Sequence, residues 1–126
     1  MTSETSMLED MITRFGVTAR SSLAVASGNL AFFAVTPKAP YDVNLSAAEQ
    51  VAQLFEKAKE RLALTGSSKD KLLFVAIILA DMSDYEAVNA VWDRWVTPGA
   101  PPSRACWQAK LASAALKVEM IMVAAR

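Results

Sequence analysis

Leu72-Leu73-Phe74-Val75-Ala76-Ile77-Ile78-Leu79-Ala80 decides how this chain folds. The run is short, rich in branched side chains and apolar at every position, so it predicts a central strand covered on both faces. It is about half the length that a membrane-crossing helix requires. Elements fall into place on either side of it. Upstream, Ser46-Ala47-Ala48-Glu49 is a capping box that opens a helix. Val51, Leu54, Phe55, Ala58 and Leu62 give that helix one apolar face, and Gly66 stops it. Downstream, Ser83-Asp84-Tyr85-Glu86 reads as a second capping box, opening a helix with Val88, Val91, Trp92 and Trp95 on its inner face. Pro98-Gly99 and Pro101-Pro102 end it.

The ends of the chain complete the order. Met11 to Val17 can form a first strand, and Leu23 to Ala26 and Leu30 to Val35 flank a Gly28-Asn29 hairpin signal. Thr36 to Asn44, with Pro37 and Pro40, reads as a loop. Two closing strands are expected, roughly Ser103 to Lys110 and Ala115 to Ala124, joined by a short turn at Leu111 to Ala114. The fold class is therefore α+β, in the order βββαβαββ, with both helices on one face of the sheet and residues 1–126 forming a single domain. The opposite face would be left apolar and uncovered, which predicts an oligomer.

Composition narrows the chemistry. Thirteen basic residues balance thirteen acidic ones with no basic stripe, so nucleic acid is not an expected partner. Met1 to Thr13 is polar and carries Glu4, Glu9 and Asp10, unlike a signal peptide. With a single cysteine as well, a soluble cytoplasmic protein with no membrane partner is the expectation. Histidine is absent, which removes Ser–His and Cys–His catalytic pairs and, with only Cys106 as a thiol, makes a bound transition metal an unexpected feature. Carboxylates, Arg, hydroxyls, backbone groups and water must carry any reaction.

Alternation with period two puts Arg104, Cys106 and Gln108 on one face of their strand and Glu119 opposite in parity to Val118 and Met120. If the two closing strands form a hairpin, Cys106 falls across from Glu119, with Arg104 one pair further along. On spacing alone, such an Arg–Glu pair is first a structural salt bridge. Cys106 is first a small buried hydrophobe, Trp92, Trp95 and Trp107 are first core or interface anchors, and Asn89 is first a buried hydrogen-bonding residue.

Several segments shift that balance. Pro102-Ser103-Arg104-Ala105-Cys106-Trp107-Gln108-Ala109 resembles the P-x-R-[SAT]-C-x-[EQ]-[VA] segment of the Rid (YjgF/RidA) family of reactive-intermediate deaminases. Lys117-Val118-Glu119-Met120 through Ala125 is similar to that family's closing strand, at the family's interval from its Arg. Leu79-Ala80-Asp81-Met82-Ser83-Asp84-Tyr85 through Asn89 and Ala63-Leu64-Thr65-Gly66-Ser67-Ser68 resemble two further family segments. Val91-Trp92-Asp93-Arg94-Trp95 and Val123-Ala124-Ala125 look most like its short bacterial YoaB type.

The resemblance implies a chorismate-mutase-like fold assembled as a homotrimer with clefts between subunits. It also implies a cofactor-independent hydrolase activity, in which enamines or imines such as 2-aminoacrylate become 2-oxo acids and ammonia. The small carboxylate substrate would be anchored by Arg104, and Glu119 would position water. Ala105, Cys106, Asn89, Ala34 and Val35 would line the substrate site. The chain departs from the well-studied deaminases in Phe33-Ala34-Val35-Thr36-Pro37, where Ala34 and Val35 replace a Ser and a Gly, and near Ser21, where they carry a tyrosine. Those changes place differences in specificity in the first third of the chain. They also favour, as an alternative, a non-catalytic trimeric module that binds a small carboxylate or regulates a partner. Ribonuclease activity, often attached to this family, is opposed by the neutral charge and the missing histidine.

Overall fold

The computed structural model describes residues 11–126; most of the Met1 to Thr13 stretch lies outside the described residues. Eight principal elements follow the expected order. They are β1 (Ile12–Phe15), β2 (Ala24–Ser27), β3 (Leu30–Val35), α1 (Ala47–Leu64), β4 (Leu72–Leu79), α2 (Tyr85–Trp95), β5 (Ser103–Gln108) and β6 (Val118–Ala125).

Local chemistry accounts for most boundaries. β2 and β3 are joined by a two-residue turn between the paired Ser27 and Leu30, and Gly28 takes the positive φ of 57° that this turn demands. Ser46 Oγ accepts the Glu49 N–H at 3.1 Å, while the Glu49 carboxylate accepts the Ser46 N–H at 3.0 Å. That bond from the Ser46 backbone holds the Glu49 carboxyl below its ordinary range. At the other end of α1, Gly66 (φ 81°) lets the Ser67 N–H reach Leu62 O at 2.8 Å and the Gly66 N–H reach Ala63 O at 3.1 Å, closing a Schellman turn.

α2 begins differently from the sequence expectation. Ser83 caps nothing. A 3-10 turn, Met82–Asp84, precedes the helix, and the Asp81 carboxylate accepts the Ser83 N–H at 2.9 Å. Asp84 then occupies the N-cap position with helical backbone and no side-chain cap bond. The Ser83 N–H that a box would give to Glu86 is thereby already taken.

The six strands form one mixed sheet in the order β1-β2-β3-β6-β4-β5. β4 and β5 are parallel, and the remaining neighbours are antiparallel. This corrects the expected β5–β6 hairpin. The two strands flank β4, so Cys106 and Glu119 are not cross-strand partners. Residues 109–117 step across the end of β4 instead, held where the Ala109 N–H meets Leu79 O and the Ala80 N–H meets Lys117 O, each at 3.0 Å. Inserting β4 between β5 and β6 satisfies both of its backbone edges, which suits a strand whose last five residues are all buried.

Both helices pack on one face. Phe33, Val35, Val75, Ile77, Leu79, Val118, Met120 and Met122 meet Val51, Leu54, Phe55, Ala58, Leu62, Val88 and Trp92 in one core. Gln50 is a polar exception, 1% exposed. Its amide donates to Asp42 O at 3.2 Å and Ala115 O at 2.8 Å and accepts the Lys117 N–H at 2.8 Å, tying α1 to the segment that enters β6. No helix among the described residues is long and apolar enough to cross a membrane.

Candidate functional site

Arg104 and Glu119 stand on opposite faces of the sheet. Arg104 pairs with Val75 of β4, whose side chain points into the helix-covered core, and Arg104 accordingly packs under α2. Glu119 pairs with Ile78, between Val118 and Met120, which are both in the core, so its side chain takes the uncovered face. They are two strands apart and three residues out of step. With about 4.8 Å between strands and about 3.3 Å per residue, their Cα atoms are roughly 14 Å apart. A salt bridge within one chain is excluded.

Two aromatic rings of α2 hold Arg104. Its guanidinium carbon lies 5.2 Å from the Trp92 ring centroid and 5.9 Å from that of Tyr85, and Nη2 donates to Tyr85 Oη at 3.2 Å. Asn89 lies between these rings on the same helical stripe, one turn from each. Its Oδ1 is buried and has no hydrogen-bond partner among the described residues. Cys106, two residues along β5, packs against the core. Burial pushes its thiol up from the ordinary range, against the pull of the Arg104 charge, so the thiol stays protonated near neutrality.

β5 is the edge strand of the sheet, and its backbone adds donors. The Ala109 N–H points toward β4. Alternation therefore sends the N–H groups of Arg104 and Cys106 off the free edge, beside the guanidinium. Ala105 and Trp107 take the open face, where Trp107 is 44% exposed.

The remaining expected residues gather near Glu119. Ala34 is exposed on the open face and pairs with Ile121, diagonal to Glu119. Its carbonyl accepts from Arg61 Nη1 at 2.8 Å. Val35 points into the core and can offer a ligand only backbone atoms. One chain thus brings Arg104, Cys106 and Asn89 together at the β5 edge, and Glu119 with Ala34 on the open face. It does not bring the two groups together. Tyr85 and Trp92 were not singled out by sequence as companions of Arg104. Their spacing of seven residues, two helical turns with Asn89 between, was the available signal.

Comparison with known proteins gives the family. The profile of the endoribonuclease L-PSP family matches residues 11–126. The chain belongs to this family, also called Rid or YjgF. A RutC family protein of Haemophilus influenzae is 40% identical over 114 residues, covering 90% of this chain and 97% of that protein. RutC family protein YoaB of Escherichia coli is 35% identical with the same coverage. A YjgF-family crystal structure from Neisseria meningitidis superimposes with a TM-score of 0.84 at 38% identity, covering 91% of this chain and 94% of that one. A more distant Rid relative, 25% identical over 107 residues (82% of this chain, 57% of that protein), is the chloroplastic Reactive Intermediate Deaminase A of Arabidopsis thaliana.

Proposed function

We propose that this Rid-family chain is a cofactor-independent deaminase that hydrolyses small enamines and imines, 2-aminoacrylate among them, to 2-oxo acids and ammonia. The observation that carries this reading is the separation of Arg104 from Glu119. A guanidinium laid on two aromatic faces, with the expected carboxylate on the far side of the sheet, is available to an incoming anion. Beside it, the outward N–H of Cys106 adds a donor to the same carboxylate.

The reaction asks little of the protein. An enamine tautomerises to an imine, water adds to the imine carbon, and the C–N bond breaks to release ammonia. Arg104 anchors the carboxylate. Glu119 takes a proton from the attacking water and returns it to the departing nitrogen. Asn89, with its unpartnered buried acceptor, suits a substrate N–H, and the oxo product offers no such donor. Ala34 and the Val35 backbone border Glu119, and a smaller side chain there in place of a hydroxyl bears on which imine fits.

Two copies supply one site in this account. The open face exposes Phe32 and Ile121 as well as Trp107, a patch that suits burial against a neighbour. A homotrimer would bring the open face of one protomer, with Glu119, to the β5 edge of the next, with Arg104. The partners are then a small carboxylate metabolite and the chain itself. Light scattering at micromolar concentration should give a trimer mass, and a monomer mass would contradict the assembly.

Ammonia release from an imino acid generated in solution tests the activity. The wild type should exceed the spontaneous rate, and Arg104→Ala should lower kcat/KM by about a hundredfold or more. Carboxylate binding without turnover would instead favour the regulatory or carboxylate-sensing module.

A further inference from the structure

The two rings over Arg104 are not equivalent. Trp92 contributes a face only, whereas Tyr85 contributes a face and a hydroxyl. The phenol oxygen accepts from Arg104 Nη2 at 3.2 Å, which leaves the phenol proton free to be donated. Among the described residues no acceptor takes it. Tyr85 is also firmly placed. It is the first residue of α2, directly after the 3-10 turn that Asp81 holds, and its ring packs against the core.

We propose that Tyr85 is a positioning and specificity-determining residue: its phenol fixes the guanidinium of Arg104 across Trp92 and donates its own O–H to the ligand carboxylate that Arg104 binds. This rests on the reading of Arg104 as the carboxylate anchor. A carboxylate has about four lone-pair sites, and a guanidinium fork fills two of them. The Tyr85 hydroxyl, hydrogen-bonded to the guanidinium itself, lies beside that fork and fills a third. The ligand class that follows is the small 2-imino or 2-oxo monocarboxylate. A neutral amide of the same shape is rejected, because its NH₂ would face donors on both sides.

Tyr85→Phe keeps the ring and removes only the hydroxyl. With the full-length protein, pyruvate serves as the probe and pyruvamide as its uncharged control. Wild type should bind pyruvate more tightly than pyruvamide. Tyr85→Phe should weaken pyruvate binding about tenfold, the loss of one hydrogen bond to a charged group, with pyruvamide binding and the melting temperature unchanged. In ammonia release KM should rise by a similar factor while kcat stays within about twofold, since Glu119 is untouched. If Tyr85→Phe binds pyruvate as the wild type does while Arg104→Ala has lost it, the role of Tyr85 is overturned and Arg104 stands. If kcat falls with KM unchanged, Tyr85 acts in the chemistry and the positioning role is overturned. If wild type and Arg104→Ala are alike toward pyruvate, both the anchor and its companion fall.

Discussion

Along β6, neighbouring residues meet opposite surroundings. Val118, Met120 and Met122 are closed off beneath the two helices, while Ile121, one residue along from Met120, is 42% exposed on the bare side of the sheet. β5 shows the same division, with Arg104 and Cys106 turned under α2 and Trp107 turned out. The covered face is a finished core. The open face exposes Phe32, Trp107 and Ile121 among the described residues, and it holds Glu119. The difference teaches that a single step along β6 passes from a residue that stabilises the core to one free to meet a neighbour, while the site residues are divided between the two faces. Substitutions one residue apart should therefore have unlike consequences.

The largest effect should come from breaking the open face. Ile121→Lys leaves the covered core untouched, so the chain should keep its circular dichroism spectrum. Its mass by light scattering should fall to that of a monomer, and ammonia release should drop to the spontaneous rate, because a charge in a desolvated interface is strongly disfavoured. A trimeric, active Ile121→Lys would put the interface elsewhere. One position away, Met120→Ala should do the reverse. A buried Met120 truncated to Ala should cost about 3 kcal/mol in urea unfolding, while the protein that remains folded still assembles and turns over.

Two smaller tests sharpen the contrast at the margins of the covered face. Ser46→Ala removes one half of the capping box and should cost about 1 kcal/mol, with no change in KM. The Glu49 carboxyl is held below its ordinary range, so the stability it contributes is present above the unfolded carboxylate range and is lost as pH falls through the lowered folded value. Urea midpoints for wild type and Glu49→Gln should therefore converge in acid, where the wild-type carboxyl is protonated as well. The smallest effect concerns Cys106. A thiol raised by burial is less ionised at any given pH, so iodoacetamide should alkylate it more slowly near pH 8 than it alkylates free cysteine. Arg104→Ala, which removes the charge that opposes the shift, should slow the reaction further.

Much of this was legible in the sequence because it is local. Gly28 and Gly66 mark their turns, the Ser46–Glu49 box marks the start of α1, and period-two alternation correctly puts Arg104 with Cys106 and opposes Glu119 to Met120. Partner choice between strands is not local. Alternation says which residues share a face of one strand, but it does not say which strand lies beside it or how its faces align with the neighbour's. The short segment at 111–114 suggested a hairpin, yet β4, α2 and β5 form a strand–helix–strand unit, the arrangement that favours adjacent parallel strands. Reading that unit first would have separated β5 from β6. The candidate residues were found by type and interval. Their division between two faces, and the seating of Arg104 on Tyr85 and Trp92, depended on the pairing that local patterns leave open.

The central claim is that Arg104 of one protomer and Glu119 of another act on one ligand. It is tested most directly by mixing two variants, Arg104→Ala and Glu119→Gln, each expected to lose nearly all ammonia release alone. After unfolding and refolding together in equal amounts, a trimer with sites shared between protomers should recover about a quarter of the wild-type activity, because that fraction of clefts receives an intact Arg104 and an intact Glu119 from different chains. A mixture as inactive as its components, in trimers shown to contain both chains, would mean that each site draws both residues from one chain, and would contradict the account.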